Sequence, residues 1–451
     1  MDRGELPALA RMRDEGGLWT ITSCFPSVTG PAYAPFLMGR FPGDVGLPGL
    51  RWFDRSRTTC TFPDYTRSYV GHQMRELDRD LDPDAPTIFE RCRSSLGALS
   101  VIGRGLESRD RVGSLTLRSA LRAATTHFRG DVRGWLAIDR DVSREVVERV
   151  RRERPAYVFA ALTGVDKTSH AEGHDSPVVA EALGIVDQTA AQIRADAEER
   201  GDWNDMHLWI SSDHGHSPVR EHEDLARFVA SVGDGLRVVA HPWVFVRNPD
   251  VAVMVSGNAM AHLYLELERT VRPFWRDLGE RWEHLVGALL DRPSVDLVIL
   301  PTSETTALVR NRERGVAEVR RHGSHYSYRF IDGDPLGIGA ELICESSGDA
   351  YEATGESDYP DSVVQISHLA GAARSGDVIL SAARDWDFRA RYEPIPHRSA
   401  HGALHREHML VPLLMSQRPN LTPRRTTDLM ASALTAVGAE LPARLNGESF
   451  L

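Results

Sequence analysis

The sequence predicts an α/β protein with a mostly parallel central sheet flanked by helices and an inserted cap region. Three observations carry this. Two apolar runs that read as strands each empty into an aspartate–histidine cluster: Tyr157 to Leu162 leads to Asp166-x-x-x-His170, and Met206 to Ile210 leads to Asp213-His214. A long helical pattern separates them, and strand–helix–strand order is the mark of parallel pairing. The 451-residue length leaves room for a large core and an insert.

Taken in order, residues 6–15 read as a short helix, with Pro7 in its first turn and Gly16-Gly17 after its end. Leu18 to Thr22 is strand-like and runs into Cys24-Phe25-Pro26-Ser27-Val28-Thr29-Gly30-Pro31, where prolines and glycine around hydroxyls mark a tight loop. Asp44 to Thr66 is rich in Pro, Gly, Asp and Arg and is expected to be irregular. Residues 139–153 carry a charged helical pattern ahead of the first cluster strand. Ser176-Pro177 fits the cap and first position of the long helix, whose apolar face is Val179, Ala182, Leu183, Val186 and Ile193.

The pattern changes between residues 217 and 375, with Val-rich strands (Val251 to Val255, Val295 to Leu300) and a Gly/Asp/Ser-rich stretch from Asp332 to Ser362. This is the expected cap. Residues 1–216 and 376–451 form the expected core, in which Asp377 to Ser381 is a further strand followed by a histidine-rich stretch, His397 to His408.

The formal charge of -11 argues against a nucleic-acid polymer as partner, because phosphate backbones are bound by positive charge. A small phosphorylated substrate remains compatible, since a bound metal can outweigh net charge locally. No run approaches the ~20 apolar residues of a membrane helix. Cys24, Cys60, Cys92 and Cys344 form no CxxC pair, and the first residues lack an apolar signal core, so a reduced, cytoplasmic protein is expected.

Carboxylate and imidazole at strand ends are the ligand set of a hydrolytic metal site. Asp166 and His170 suit one ion, with a distant histidine such as His401 closing its shell. Asp213 and His214 are adjacent, so they either serve one ion each or wrap a single ion. Thr29 is the candidate nucleophile, a weak hydroxyl whose alkoxide a divalent metal stabilises. Lys167, the only lysine in the chain, stands beside Asp166.

Together these segments resemble the alkaline phosphatase superfamily, most closely its type I phosphodiesterase/nucleotide pyrophosphatase branch. The matching motifs are Pro26 to Pro31 with Phe36 to Pro42, Asp166 with His170, Ser212-Asp213-His214-Gly215-His216, and His401-Gly402. The tail, Arg425 to Leu429 and Leu445 to Phe450, is similar to that superfamily's end as well. The resemblance implies an alkaline phosphatase-like fold and a two-metal hydrolase of phosphoric esters or phosphonates. Thr29 would be the nucleophile that becomes phosphothreonine. Asp166, His170 and His401 would hold one ion, Asp213 and His214 the other, with zinc favoured and manganese as the alternative. His405 and His408 lie close to His401, but the family's ligand is followed by glycine, which selects His401. Lys167, Arg51 and His216 are candidate contacts to the substrate phosphate.

The chain departs from that pattern twice. The family's first core strand ends in an aspartate that ligates the second metal, whereas Leu6 to Met12 matches the helix after it. That strand and aspartate are therefore expected upstream of Met1, through a mis-called start or truncation. Pro48-Gly49-Leu50-Arg51 also stands where nucleotide pyrophosphatases carry an asparagine. Three alternatives follow. Cys24-Phe25-Pro26-Ser27 begins like the sulfatase Cys-x-Pro-x-Arg signature, although Val28 replaces its arginine. A phosphomutase of the same superfamily and a truncated, metal-deficient inactive homologue are the others.

Overall fold

The computed structural model describes residues 1–2, 4–56, 65–113, 125–241, 245–388 and 395–451. Helix Pro7–Glu15 forms as expected, with proline in its first turn and its end at Gly16. Its apolar side, Leu9 and Met12, packs on Ala190 and Leu414. The Leu9 amide also donates to Asp187 Oδ1 at 2.9 Å, so a carboxylate buried in the long helix ties the two helices together.

That long helix spans Pro177–Arg200 and buries Val179, Ala182, Ile185, Asp187, Ala190, Arg194 and Ala197. Of the apolar face read from sequence, Leu183, Val186 and Ile193 are only half-buried. Two buried polar residues share the face that small and branched side chains complete. The charged helix before it is longer than expected, Val132–Glu153, and starts with Asp131 capping Gly134.

The strand–helix–strand order holds, but its pairing differs from the expectation. Tyr157–Ala160 pairs in parallel with Ser95–Ala98, which also pairs in parallel with Arg111–Val112. Trp209–Ser211 lies instead in a three-stranded antiparallel sheet with Leu410–Met415 and Leu18–Thr22. Chain order constrains which elements follow one another; backbone hydrogen bonding then chooses the neighbours.

The largest sheet among the described residues has nine strands and is antiparallel except at one edge. Its order is Leu342–Ser346, His325–Phe330, Gly315–His322, Thr306–Asn311, Val295–Pro301, Val378–Ala382, Met260–Leu265, Val251–Ser256, Val238–Ala240. Only the last pair is parallel. The alternation along Val295–Pro301 shows why so apolar a run is needed. Leu297 and Ile299 face a core shared with Val363 and Ile366 of helix Ser362–Gly371. Val298 and Leu300 face the opposite core, with Leu285 and Leu289 of helix Trp275–Leu290. Successive side chains point to opposite faces, so covering both faces demands a continuous apolar strand whatever its pairing direction. Val378–Ala382 sits in the middle of this sheet, so the sheet runs unbroken across residues 375–376, where the cap was expected to end.

Of the stretch 44–66, expected to be irregular, residues 57–64 lie outside the described residues, as does Cys60. Arg51–Phe53 forms a short strand paired with Thr66–Ser68. Among the described residues no helix is long and apolar enough to cross a membrane.

Candidate functional site

Four segments from distant parts of the chain converge. Thr29 lies in the turn between strand Leu18–Thr22 and helix Tyr33–Met38. Asp166, Lys167 and His170 ride on helix Gly164–Glu172. Asp213, His214 and His216 occupy the link between strands Trp209–Ser211 and Ser217–His222. His401 follows the two-residue strand Ser399–Ala400.

Local sequence explains each placement. The i, i+4 spacing puts Asp166 and His170 on one helix face, with His170 Nε2 3.2 Å from Asp166 Oδ1. The start of that helix is clamped by buried Asp139, whose carboxylate accepts from the Thr163 amide at 3.0 Å and the Gly164 amide at 2.6 Å. Gly215 is required because any Cβ there would overlap the Glu407 carbonyl oxygen. Gly402 has φ +115, a left-handed conformation that glycine adopts freely, so the chain turns away as soon as His401 is delivered.

The contacts sort into two adjoining groups. In the first, three imidazole nitrogens converge on one carboxylate oxygen, Asp166 Oδ1. His216 Nε2 lies at 3.0 Å, His170 Nε2 at 3.2 Å and His401 Nε2 at 3.5 Å. In the second, the Thr29 hydroxyl lies 3.0 Å from Asp213 Oδ2 and 3.2 Å from His214 Nε2. His214 and His401 stack, their ring centroids 3.5 Å apart, and so join the groups. Asp166, His214, His216 and His401 each present a donor atom within 4.8 Å of the others.

The far side of each ring fixes its tautomer. His401 Nδ1 faces the Ser27 carbonyl at 2.8 Å, His170 Nδ1 the Ser399 carbonyl at 2.9 Å, and His214 Nδ1 the Gly215 carbonyl at 3.2 Å. A carbonyl only accepts, so each Nδ1 carries a proton, and in a neutral ring the lone pair is then on the inward Nε2. Burial pushes His216 down to about 3 and takes His401 well below the ordinary histidine range. His216 and His401 are therefore neutral. Burial by itself would raise the Asp166 carboxyl, but the Lys167 charge beside it holds it well below the usual carboxylate range.

Neutral nitrogen lone pairs crowded against a carboxylate oxygen repel unless a cation lies among them. Aspartate with several Nδ1-anchored imidazoles is the donor chemistry of a zinc-type site, so the residues present fit a divalent metal.

Lys167 Nζ donates to the other oxygen, Asp166 Oδ2, at 2.8 Å. Arg51 donates from Nη1 to the Val255 carbonyl at 3.1 Å, which ties its guanidinium to a neighbouring strand. His405 and His408 are engaged elsewhere. His405 bonds Glu407 at 2.9 Å, while His408 accepts from the Ala403 amide at 3.0 Å and donates to Ser217 Oγ at 2.8 Å. Asp139, Ser27 and Ser399 were not singled out from sequence. A residue that orients a ligand from behind needs only one oxygen, and nothing in its spacing marks it.

A model of the type I phosphodiesterase/nucleotide pyrophosphatase family matches residues 1–404 of the chain. Among solved structures, the chain is similar to phosphonoacetate hydrolase from Sinorhizobium meliloti 1021 in complex with phosphonoformate. Identity there is 16%, 97% of this chain and 91% of that chain are covered, and the TM-score is 0.54. Murine ectonucleotide pyrophosphatase/phosphodiesterase 5 is 14% identical over 98% of this chain and 92% of its own, with a TM-score of 0.57. An inactive threonine-to-alanine variant of that murine protein, in complex with AMP, matches at 13% identity, 98% and 92% coverage and a TM-score of 0.57. No curated protein matches the sequence.

Proposed function

We propose, for a chain that belongs to the type I phosphodiesterase/nucleotide pyrophosphatase family, that it hydrolyses phosphoric esters or phosphonates of small molecules, with Thr29 as nucleophile. The observation that carries this reading is the Thr29 hydroxyl, held 3.0 Å from Asp213 Oδ2 and 3.2 Å from His214 Nε2 beside the Asp166 group. A hydroxyl has one proton, and both neighbours accept it. The inactive threonine variant of the murine relative, bound to AMP, supports a threonine in this role.

In the ester reaction Thr29 Oγ1 bonds to phosphorus, the phosphorus–oxygen bond to the leaving alcohol breaks, and the threonine proton passes by way of Asp213 Oδ2 to the departing alkoxide, which leaves as the alcohol. Water then bonds to phosphorus through its oxygen, the threonine–phosphorus bond breaks, and the proton the water gives up passes to Thr29 Oγ1, restoring the hydroxyl. Asp166, His170 and His401 would hold one divalent ion, Asp213 and His214 a second, with zinc favoured over manganese. Such ions supply positive charge that stabilises the charge developing on the phosphoryl oxygens and lowers the pKa of a nearby hydroxyl. Lys167 places its ammonium at the rim of the same site.

Thr29→Ala tests the reading. Turnover of a phosphodiester such as bis-p-nitrophenyl phosphate, assayed with zinc or manganese, should fall by at least about 1000-fold with bound metal unchanged. Full activity in that variant would rule the mechanism out. An arylsulfate consumed in place of the diester would redirect the substrate class and leave the nucleophile standing.

A further inference from the structure

His216 has no place in the ligand set just described, yet its Nε2 lies nearer to Asp166 Oδ1 than that of His170 or His401, at 3.0 Å against 3.2 and 3.5 Å. We propose that His216 is a third imidazole ligand of the ion at Asp166 and that Ser399 is the residue that positions it. The inference rests on the metal reading above.

Two hydrogen bonds set the ring. Ser399 Oγ donates to the Ser169 carbonyl at 2.7 Å, and that carbonyl can only accept. The hydroxyl's single proton is thereby used, so its lone pair takes the proton on His216 Nδ1, at 3.1 Å. His216 Nε2 is then left with a lone pair aimed at a carboxylate oxygen. Two acceptors at that separation repel, and a cation between them removes the conflict. A phosphate ester would not, because it brings further negative charge and Nε2 has no proton to offer it. His216 therefore suits a metal better than the substrate contact expected from sequence. Its side chain is only 9% exposed, which also favours an ion over an open substrate.

Ser399 serves both rings by different atoms. Its backbone carbonyl orients His170, and its hydroxyl orients His216. Removing the hydroxyl thus frees one ring and leaves the other anchored.

The chemical consequence concerns which ion would be held. Asp166 with His170, His216 and His401 gives three nitrogens and one oxygen, a set that favours zinc over magnesium or calcium.

The test is metal binding by Co2+ alone, with no substrate present. Purified full-length chain is stripped of metal and titrated with Co2+, while the visible d–d absorption and the dissociation constant are recorded. His216→Ala should weaken the tighter site by roughly 100-fold and shift its absorption bands. Ser399→Ala should weaken it by roughly tenfold. The ion-free variants should keep the wild-type melting temperature, and excess Mg2+ should displace no Co2+. Wild-type affinity and an unchanged spectrum in both variants would overturn the proposal while leaving the Thr29 mechanism intact. A wild-type chain that binds no Co2+ would overturn this proposal together with the metal part of the proposed function. If His216→Ala fails to fold, Ser399→Ala decides alone, since it leaves every proposed ligand in place.

Discussion

The nine-stranded sheet and the strands that feed the site are both apolar, yet they are held in opposite ways. Val251–Ser256, Met260–Leu265 and Val378–Ala382 are buried along their whole length. Tyr157–Ala160 and Trp209–Ser211, which deliver Asp166 and Asp213, are only half-buried, and Ala160 is exposed. The sheet is secured by packing from both faces. The site is secured by hydrogen bonds that reach across the chain: Asp139 to residues 163–164, Ser399 to His170 and His216, and Ser27 to His401. Packing tolerates rearrangement as long as volume is conserved, whereas a hydrogen bond specifies one atom and one direction. A site where several side chains converge on one point needs the second kind of control.

Three substitutions probe this contrast, in order of decreasing effect. Leu297→Ala removes a fully buried side chain from the sheet core and should cost about 2–5 kcal/mol. Metal affinity of the folded fraction should not move. Denaturant unfolding alongside Co2+ titration checks both, and a parallel loss of affinity would show the two regions are mechanically coupled.

Asp139→Asn attacks the clamp on the helix that carries Asp166 and His170 and should cost about 1–3 kcal/mol, since an amide cannot accept from both backbone N–H groups. Burial pushes the Asp139 carboxyl up to about 6 from an unfolded value near 3.8. A raised carboxyl pKa means the folded state holds the proton more tightly. The stability it contributes is complete below the unfolded value and is lost as pH climbs through about 6. The ion-free wild type should show that decline between those limits, and Asp139→Asn should lack it. An identical pH slope in the two proteins would remove Asp139 from this role.

Lys167→Met should have the smallest effect. Its side chain is 34% exposed, and pairs of that kind are worth on the order of 1 kcal/mol or less. KM for a phosphodiester should rise a few-fold with kcat and bound metal nearly unchanged. A collapse in kcat would instead place Lys167 in the chemistry.

Much of the site was legible because its signals are local. Asp166-x-x-x-His170 needs only helix geometry to bring its members together, and Asp213-His214-Gly215 needs only a strand end and a close backbone approach. His401 was separable from His405 and His408 by the glycine after it, and the structure gives a reason in the left-handed turn at Gly402. Pairing direction was less legible. An apolar run such as Val298-Ile299-Leu300 reports that both strand faces are covered, and here helices cover an antiparallel sheet.

The sequence by itself determined the α/β class, the order of the elements, the loop that carries Thr29 and the aspartates and histidines that line the candidate site. These depend on short-range periodicity and on side-chain chemistry carried by single residues. Only the tertiary structure decided that strand Val378–Ala382 joins the nine-stranded sheet, that Arg51 is tied to Val255, and that His216 turns toward Asp166. Each of those outcomes rests on contacts between residues fifty or more positions apart. A partner's lone pair or proton leaves no trace in the spacing of the residue it orients.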